Sequence, residues 1–345
     1  MNPVPDRSYL DSANDEYEAF EEQFDPLRHN RRARRRRKPK AQHTPKKTQH
    51  DIVEAIAETA IALEGGFQIS YQPSKYEAEW LLASLESFYD EHLITDVVAL
   101  VKGGKEASVY QCAADPSTGV EWLAAKVYRP RKFRALRNDA LYREGREILT
   151  PEGRPVKKND HRLMRAIGKK SAFGVQVSQT SWLMYEYTML HALHAVGGAV
   201  PRPFGANDNA ILMGYCGDAQ IAAPPLSEVR LEPDEAPALF GEVMRNIELM
   251  LARGFVHGDL SAYNILYWDG TITLIDFPQV VAVQGNRNAY FILQRDIQRV
   301  CEYFARQGVR RDANTLLNEL WLRQIGWLPG QRAAEEAASL GIDLD

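Results

Sequence analysis

The sequence predicts an α+β chain folded as two lobes, the first rich in strands and the second mainly helical. Three observations predict it. Short β-rich runs bounded by glycine turns crowd between Ile94 and Arg129. Helical periodicity returns over long segments from residue 233 onward. Asp269-Gly270 sits between two apolar runs, the signal for a tight hairpin inside the helical part. Segregated elements of this kind pack as separate layers around their own cores.

The elements follow in order. Ile52, Ile56, Ala60 and Leu63 recur at helical spacing, and Gly65-Gly66 ends the run. Tyr76, Trp80, Leu81, Leu85 and Phe88 mark a second amphipathic helix, with Ser74 as its cap. DVVALVKGG and ASVYQCAA read as two strands around a glycine turn, and EWLAAKVYR as a third. Residues 131–178 hold thirteen Lys and Arg against five acids, with weak periodicity, and read as a long mobile insertion. A helix is expected over 181–195, stopped by a Gly-Gly and Pro-rich stretch. NAILMGYCGD reads as a buried strand leading into a connector. The segment 233–253 carries Pro, Asp and Glu at its start and Arg at its end, as a helix should. After two short strands, helices are expected over about 290–306 and 312–325.

The chain has 345 residues, 45% hydrophobic and 26% charged, which excludes collagen-like, coiled-coil and fully disordered classes. It contains no run of about eighteen apolar residues, so no membrane partner is expected. The N-terminus lacks the basic and apolar regions of a secretory signal. Cys112, Cys216 and Cys301 are odd in number and far apart, which fits a reducing cytoplasm better than a disulfide framework. The net charge of −4 conceals a partition. Residues 1–27 carry −7, residues 28–47 carry +11, residues 131–178 carry +8, and the remainder carries −16. Blocks of like charge repel themselves and bury nothing, so the tail should be disordered. It reads either as a solvated segment or as a basic arm for nucleic acid.

Val256 to Val281, VHGDLSAYNILYWDGTITLIDFPQVV, is the most informative stretch. Pairing of NILYW with TITLID brings Asn264 beside Asp276, with Asp259 in the loop just before. Three oxygen-bearing side chains then converge. Each alone reads as turn chemistry, but together they suit a hard cation. The D-x-x-x-x-N spacing followed by D-F matches the kinase template. VKGGKEASVY forms a strand–turn–strand in which Gly103 and Gly104 let backbone amides approach phosphates, although an ordinary hairpin would also look like this. Lys126 has apolar neighbours on both sides, so it either lies on a buried strand with an anionic partner or sits on an exposed edge. Glu186, among apolar residues of the 181–195 helix, is the best candidate partner.

With these residues in view, the chain resembles the RIO family of atypical serine/threonine protein kinases over roughly residues 75–310. GGKEASVY resembles the family's S-x-G-K-E-A-x-V-Y loop, with Lys102 in the place of its serine. AAKVYR, WLMYEYTMLHAL and ILMGYCG resemble its lysine strand, glutamate helix and hinge. HGDLSAYNIL and LIDFPQVV resemble its catalytic and metal loops, and LQRDIQRVCEYF the helix that follows. No long activation segment with an A-P-E motif follows Asp276, as in that family.

The resemblance implies a bilobal protein-kinase-like fold, with ATP and Mg2+ as cofactors. It implies that Lys126 contacts the α/β-phosphates with Glu186 holding it. Gly103, Gly104, Lys105 and Ser108 would cover the triphosphate, while Met213, Tyr215 and Cys216 would receive the adenine. Asp259 would be the catalytic aspartate, and Asn264 and Asp276 would hold magnesium. Asp276 could itself become phosphorylated, ATP hydrolysis could be the purpose, and ribosome maturation is the implied setting.

Two other readings stand beside this one. H-G-D also fits small-molecule phosphotransferases of the aminoglycoside- or choline-kinase kind, although they lack a GKEA loop. An RNA- or ribosome-associated factor that merely binds ATP is the other. The expected organisation is a disordered tail over 1–49, a helical extension over 50–95, a first lobe over 96–215 and a second over 216–345. The acceptor is expected to be a protein, and 28–47 and 131–178 the segments that meet RNA or a ribosomal particle. A chain lacking residues 28–47 should bind RNA more weakly and with a shallower salt dependence, measured by titration at several salt concentrations. Unchanged affinity would refute the basic-arm reading.

Overall fold

The computed structural model describes residues 67, 69–104, 107–128, 148–150, 153, 154, 156, 165–167, 169 and 171–327. All belong to a unit spanning Thr59–Asp345. The tail, the helix expected over 52–63 and most of the segment 131–178 lie outside the described residues.

Helix α1 (Lys75–Asp90) forms where its apolar spacing requires it. Ser74 precedes it in extended conformation, and Glu77 reaches back to accept from the Ser74 amide at 3.4 Å. Leu81, Leu85 and Phe88 make one stripe, all at most 1% exposed. That stripe packs on a five-stranded antiparallel sheet of order β1-β2-β3-β5-β4. The strands are β1 (Ile94–Gly103), β2 (Ala107–Ala114), β3 (Trp122–Tyr128), β4 (Pro203–Ala206) and β5 (Ala210–Gly214). Alternation along the strands divides the two faces. Tyr110, Cys112, Leu123, Ala125 and Val127 face α1. Ala124, Tyr128, Ile211 and Met213 join the core on the other side. The Tyr110 hydroxyl donates to Glu77 at 2.6 Å and so ties helix to sheet.

Helix α2 (Ala172–His194) begins inside the stretch read as insertion, which corrects the 178 boundary. Ser171 caps it by accepting the Gly174 amide at 3.1 Å. Gly174 sits against the turn 165–167, where an added Cβ would lie 2.1 Å from the Ala166 carbonyl oxygen. A glycine in the first turn, with β-branched Val175 and Val177 just after it, weakens the helical signal of these turns. Strand β4 was also not expected. It is a four-residue edge strand opening on Pro203, and proline and glycine mask strand patterning.

The second lobe is built on α3 (Glu235–Ala252), α4 (Ala289–Arg306) and α5 (Ala313–Ile325), within one or two residues of expectation. Phe240 of α3 meets Phe304 of α4 edge-on at 5.3 Å. The hairpin β7 (Ile265–Trp268) and β8 (Thr271–Leu274) turns at Asp269 and Gly270, with φ of 46° and 74°. Two positive φ values identify the tight turn that Asp-Gly favours. The two-residue pair β6 (Phe255–Val256) and β9 (Val281–Ala282) is too short to leave a pattern. Buried Asn246 of α3 accepts the Ala199 amide at 2.7 Å, and the Ala199 carbonyl accepts the Leu274 amide at 2.7 Å. That relay fixes β8 against the end of α2. No helix among the described residues is long and apolar enough to cross a membrane.

Glycine to alanine inside a helix ordinarily stabilises by about 0.5–1 kcal/mol. At Gly174 the sign should reverse, with a loss of about 1–3 kcal/mol from overpacking against Ala166. Denaturant unfolding of Gly174→Ala checks this, and a stabilised variant would show that α2 does not start as described.

Candidate active site

Strand β3 places Lys126 on the face away from α1, opposite Val109 of β2. Its ammonium lies 2.7 Å from Glu186 of α2 and 2.7 Å from Asp276, two residues beyond β8. The three side chains are 12%, 2% and 41% exposed. Glu186 is held in turn. The Tyr128 hydroxyl donates to its second oxygen, and the Phe277 amide approaches the first at 3.4 Å. Burial works against the charge on Lys126, but Asp276 and Glu186 override it and hold the ammonium well above the usual lysine value. Burial would raise Asp276, yet Lys126 keeps its carboxyl below the usual range, with a smaller contribution from Lys102.

Asp276 has a φ of 71°, in the left-handed region that costs a non-glycine residue about 1 kcal/mol. Its neighbours fix it there. The Ile275 amide donates to the Asn264 carbonyl at 3.0 Å, and Trp182 of α2 donates to the Pro278 carbonyl at 3.2 Å. Asn264 ends a short 3-10 turn, and its side-chain NH2 donates to the Asp259 carbonyl at 2.8 Å and to its carboxylate at 3.3 Å. Side-chain bonds thus join Asn264 to Asp259, and the Ile275–Asn264 backbone bond sets Asp276 beside them in the chain.

Helix α4 positions the loop His257–Asp259. The Gly258 amide donates to buried Asp296 at 2.8 Å, and Arg295 donates to the Gly258 carbonyl. Arg299 donates to Asp259 at 3.0 Å. Gly258 has a φ of 85°, and an added Cβ would meet the Gln279 carbonyl oxygen at 2.2 Å, so only glycine fits. Burial raises the Asp259 carboxyl while Arg299 opposes the rise. Burial also pushes Asp296 up to about 7 and His257 down to about 4. His257 is thus a neutral ring that donates to the Ile275 carbonyl at 3.2 Å and accepts the Asp259 amide at 3.3 Å. It supports the loop.

The remaining residues divide. Gly103 ends β1, and the Gly104 amide closes the turn on the Ala107 carbonyl at 2.9 Å. A Cβ at Gly104 would lie 2.6 Å from that oxygen. Lys105 lies outside the described residues. Met213 pairs with Ala124 on the Lys126 side, and half-buried Tyr215 and Cys216 lead into the turn Gly217–Ala222. Ser108 does not join them. It is 1% exposed, opposite Val127, on the face shared with Tyr110, because strand alternation turns it away from Lys126. From the same hairpin, Lys102 is the side chain whose charge reaches Asp276. Arg295, Asp296 and Arg299 were not singled out from sequence. Their i, i+1, i+4 spacing on one helix was the available signal.

A sheet lysine bound to a helical glutamate, above an Asp–Asn loop and an Asp-Phe loop, defines a protein-kinase-like fold. The comparisons give the family. A model for the RIO domain matches residues 149–316. The chain is 33% identical over 217 residues to the RIO-type serine/threonine-protein kinase Rio1 of Haloferax volcanii, covering 63% of this chain and 66% of that protein. It is 32% identical over 135 residues to the Rio1 of Thermoplasma acidophilum, covering 39% and 69%. Against the serine/threonine-protein kinase RIO1 of Chaetomium thermophilum it is 29% identical over 232 residues, covering 64% of this chain and 41% of the relative. The chain belongs to the RIO domain family.

The two buried groups with opposite shifts give a pH test. Between about 4 and 7 the folded state holds a proton on Asp296 that the unfolded state releases, so this group's contribution falls as pH rises. Between about 4 and 6.5 the unfolded state protonates His257 and the folded state does not, so its contribution rises with pH. The two slopes oppose in the wild type. Asp296→Asn should show stability rising with pH, and His257→Gln stability falling, each by up to about 1.4 kcal/mol per pH unit. Unfolding curves across that range check it; parallel profiles would remove either group from this role.

Proposed function

We propose that the chain is an ATP- and Mg2+-dependent phosphoryl transferase, acting as a RIO-type serine/threonine protein kinase or ATPase. The observation that carries this reading is Lys126, 2.7 Å from both Glu186 and Asp276 where three chain segments distant in sequence meet. A lysine so placed and so paired is ready to meet phosphate oxygens. Gly103, Gly104 and Lys105 would cover the triphosphate, and the tight Gly104 turn supports a close backbone approach. Met213, Tyr215 and Cys216 would line the adenine side. Asp259 would orient the attacking hydroxyl, with Arg299 holding its carboxylate.

Asn264 and Asp276 would hold magnesium, and the donor set fits a hard cation. The Asn264 NH2 is committed to Asp259, which leaves its amide oxygen as the available donor. Asp276 adds a carboxylate kept ionised by Lys126. The ion would neutralise charge developing on the transferred phosphoryl group. A covalent variant is part of the proposal: an Asp276 oxygen attacks the γ-phosphorus, its bond to the bridging oxygen breaks, and ADP leaves. The acceptor is proposed to be a protein, and the basic stretches 28–47 and 131–178 to meet RNA or a ribosomal particle. The three free cysteines fit the cytoplasm as the compartment.

Incubation with γ-labelled ATP and magnesium, with and without a generic protein acceptor, tests this. Lys126→Met and Asp259→Ala should each lose at least about a hundredfold in turnover. A hydroxylamine-labile label absent from Asp276→Asn would support the aspartyl phosphate, and an acid-stable label on the acceptor would support serine or threonine transfer. No turnover by the wild-type chain would sink the enzymatic reading.

A further inference from the structure

The hairpin that carries Asn264 and Asp276 at one end forms a second feature at its other end. An open surface depression of about 500 Å³ is lined by Pro224, Val229, Tyr267, Trp268 and Asp269. Its volume is within the usual range for ligand sites, about 300–1,000 Å³. Its lining is aromatic at Tyr267 and Trp268 of β7 and aliphatic at Pro224 and Val229, and the Tyr267 amide donates to the Pro224 carbonyl at 3.0 Å. Asp269 adds a carboxylate at the turn and is exposed. A second carboxylate is built in nearby. The Tyr267 hydroxyl donates to Glu235, and an added Cβ on Gly270 would lie 3.9 Å from the same carboxylate oxygen.

The chemistry of the surrounding stretch has the same sign. The segment 224–235, PPLSEVRLEPDE, carries Glu228, Glu232, Asp234 and Glu235 against Arg230 alone. Glu228, Glu232 and Asp234 are exposed. An aromatic wall attracts a cation through its π face, most strongly when the wall is tryptophan. The aliphatic wall suits the methylene stem of the same side chain. Carboxylates at the rim then meet the charged head.

We propose that this depression docks a lysine- or arginine-rich segment of a partner protein. The aromatic lining offers π faces to the guanidinium or ammonium, the aliphatic lining meets its stem, and the Asp269 carboxylate, with Glu235 held nearby by Tyr267, supplies the opposite charge. Charge complementarity chooses this occupant over an acidic or apolar one. The dock is separated from the Asp259–Asn264–Asp276 end by the four residues of β7, roughly 13 Å at strand rise. It therefore holds a partner on the lobe that carries the candidate active site without entering that site, and it does not depend on the activity proposed for it.

The test is fluorescence anisotropy of a labelled eight-residue peptide of alternating arginine and glycine, titrated with the full chain at low salt. A peptide with glutamate for arginine is the counterpart. The arginine peptide should bind and the glutamate peptide should not. Trp268→Ala should weaken binding about fivefold. Asp269→Asn, which keeps a residue tolerant of positive φ at the turn, should weaken it about threefold. Glu121→Gln, an exposed acid on the β2–β3 connection, should leave it unchanged. Thermal melts separate loss of binding from loss of fold in Trp268→Ala, and Asp269→Asn carries the test if that variant unfolds. Equal affinity of wild type, Trp268→Ala and Asp269→Asn would overturn the proposal in favour of diffuse attraction to an acidic surface. Absence of binding by the wild type, or equal binding of the glutamate peptide, would overturn it as well.

Discussion

A buried lysine is the constraint on which this structure turns. An ammonium taken out of water must be paired, and its removal from a partner leaves an uncompensated charge worth about 3–5 kcal/mol. Lys126 meets that demand with two carboxylates that lie 60 and 150 residues away in sequence. One rides on α2 and the other follows β8. The pairings therefore fix the sheet, the helix and the hairpin loop relative to one another. Glu186 extends the tie, because it also accepts from Tyr128 and meets the Phe277 amide. A single buried charge thus locates the residues around it.

The loop His257–Asp259 is governed by a second device of the same kind. Its backbone lies against α4, and Arg295 and Asp296 engage both the amide and the carbonyl of Gly258. Glycine is needed for both conformation and space, so the loop approaches Gln279 more closely than any side chain would allow. Arg299 then reaches the Asp259 carboxylate from one turn further along the helix. Asp259 is positioned by its own backbone, by Asn264 and by α4, which restricts it to one arrangement. In the role proposed for it, preorganisation of this kind would let the Asp259 carboxylate act without rearranging at the moment of reaction.

Sequence revealed those parts whose physics is local. Asp269-Gly270 announces a turn by backbone preference alone, and the stripe Leu81, Leu85 and Phe88 announces α1 by spacing. Lys126 was legible because an apolar strand around a lysine demands a partner, and Glu186 because an acid among apolar helical residues demands the reverse. What stayed hidden was set by tertiary contact. Gly174 weakens the helical signal of α2, yet the nearby Ala166 carbonyl is the reason a glycine is there. The Arg295–Asp296–Arg299 face reads as an ordinary charged helix until the loop it grips is in place. Ser108 was assigned through its position in a motif, whereas its side is decided by the register that pairs it with Val127.

Under the proposed function an anionic nucleotide would have to meet an acidic body. Outside the tail 1–47 and the basic stretch 131–178 the chain carries −16, which taken alone would repel ATP. Such a field fades within about 8–10 Å at physiological ionic strength. Around Lys126 the nearest charges decide, and they are arranged differently. Lys126 sits between Glu186 and Asp276, Lys102 acts on Asp276, and Arg295 and Arg299 grip the loop bearing Asp259. The charges around Lys126 are therefore close to balanced among themselves. Triphosphate oxygens brought to Lys126 would compete with Asp276 for the same ammonium, and the freed carboxylate would then need a cation of its own. In the proposed function nucleotide and metal would be coupled by that exchange, because each would satisfy a charge that the other exposes.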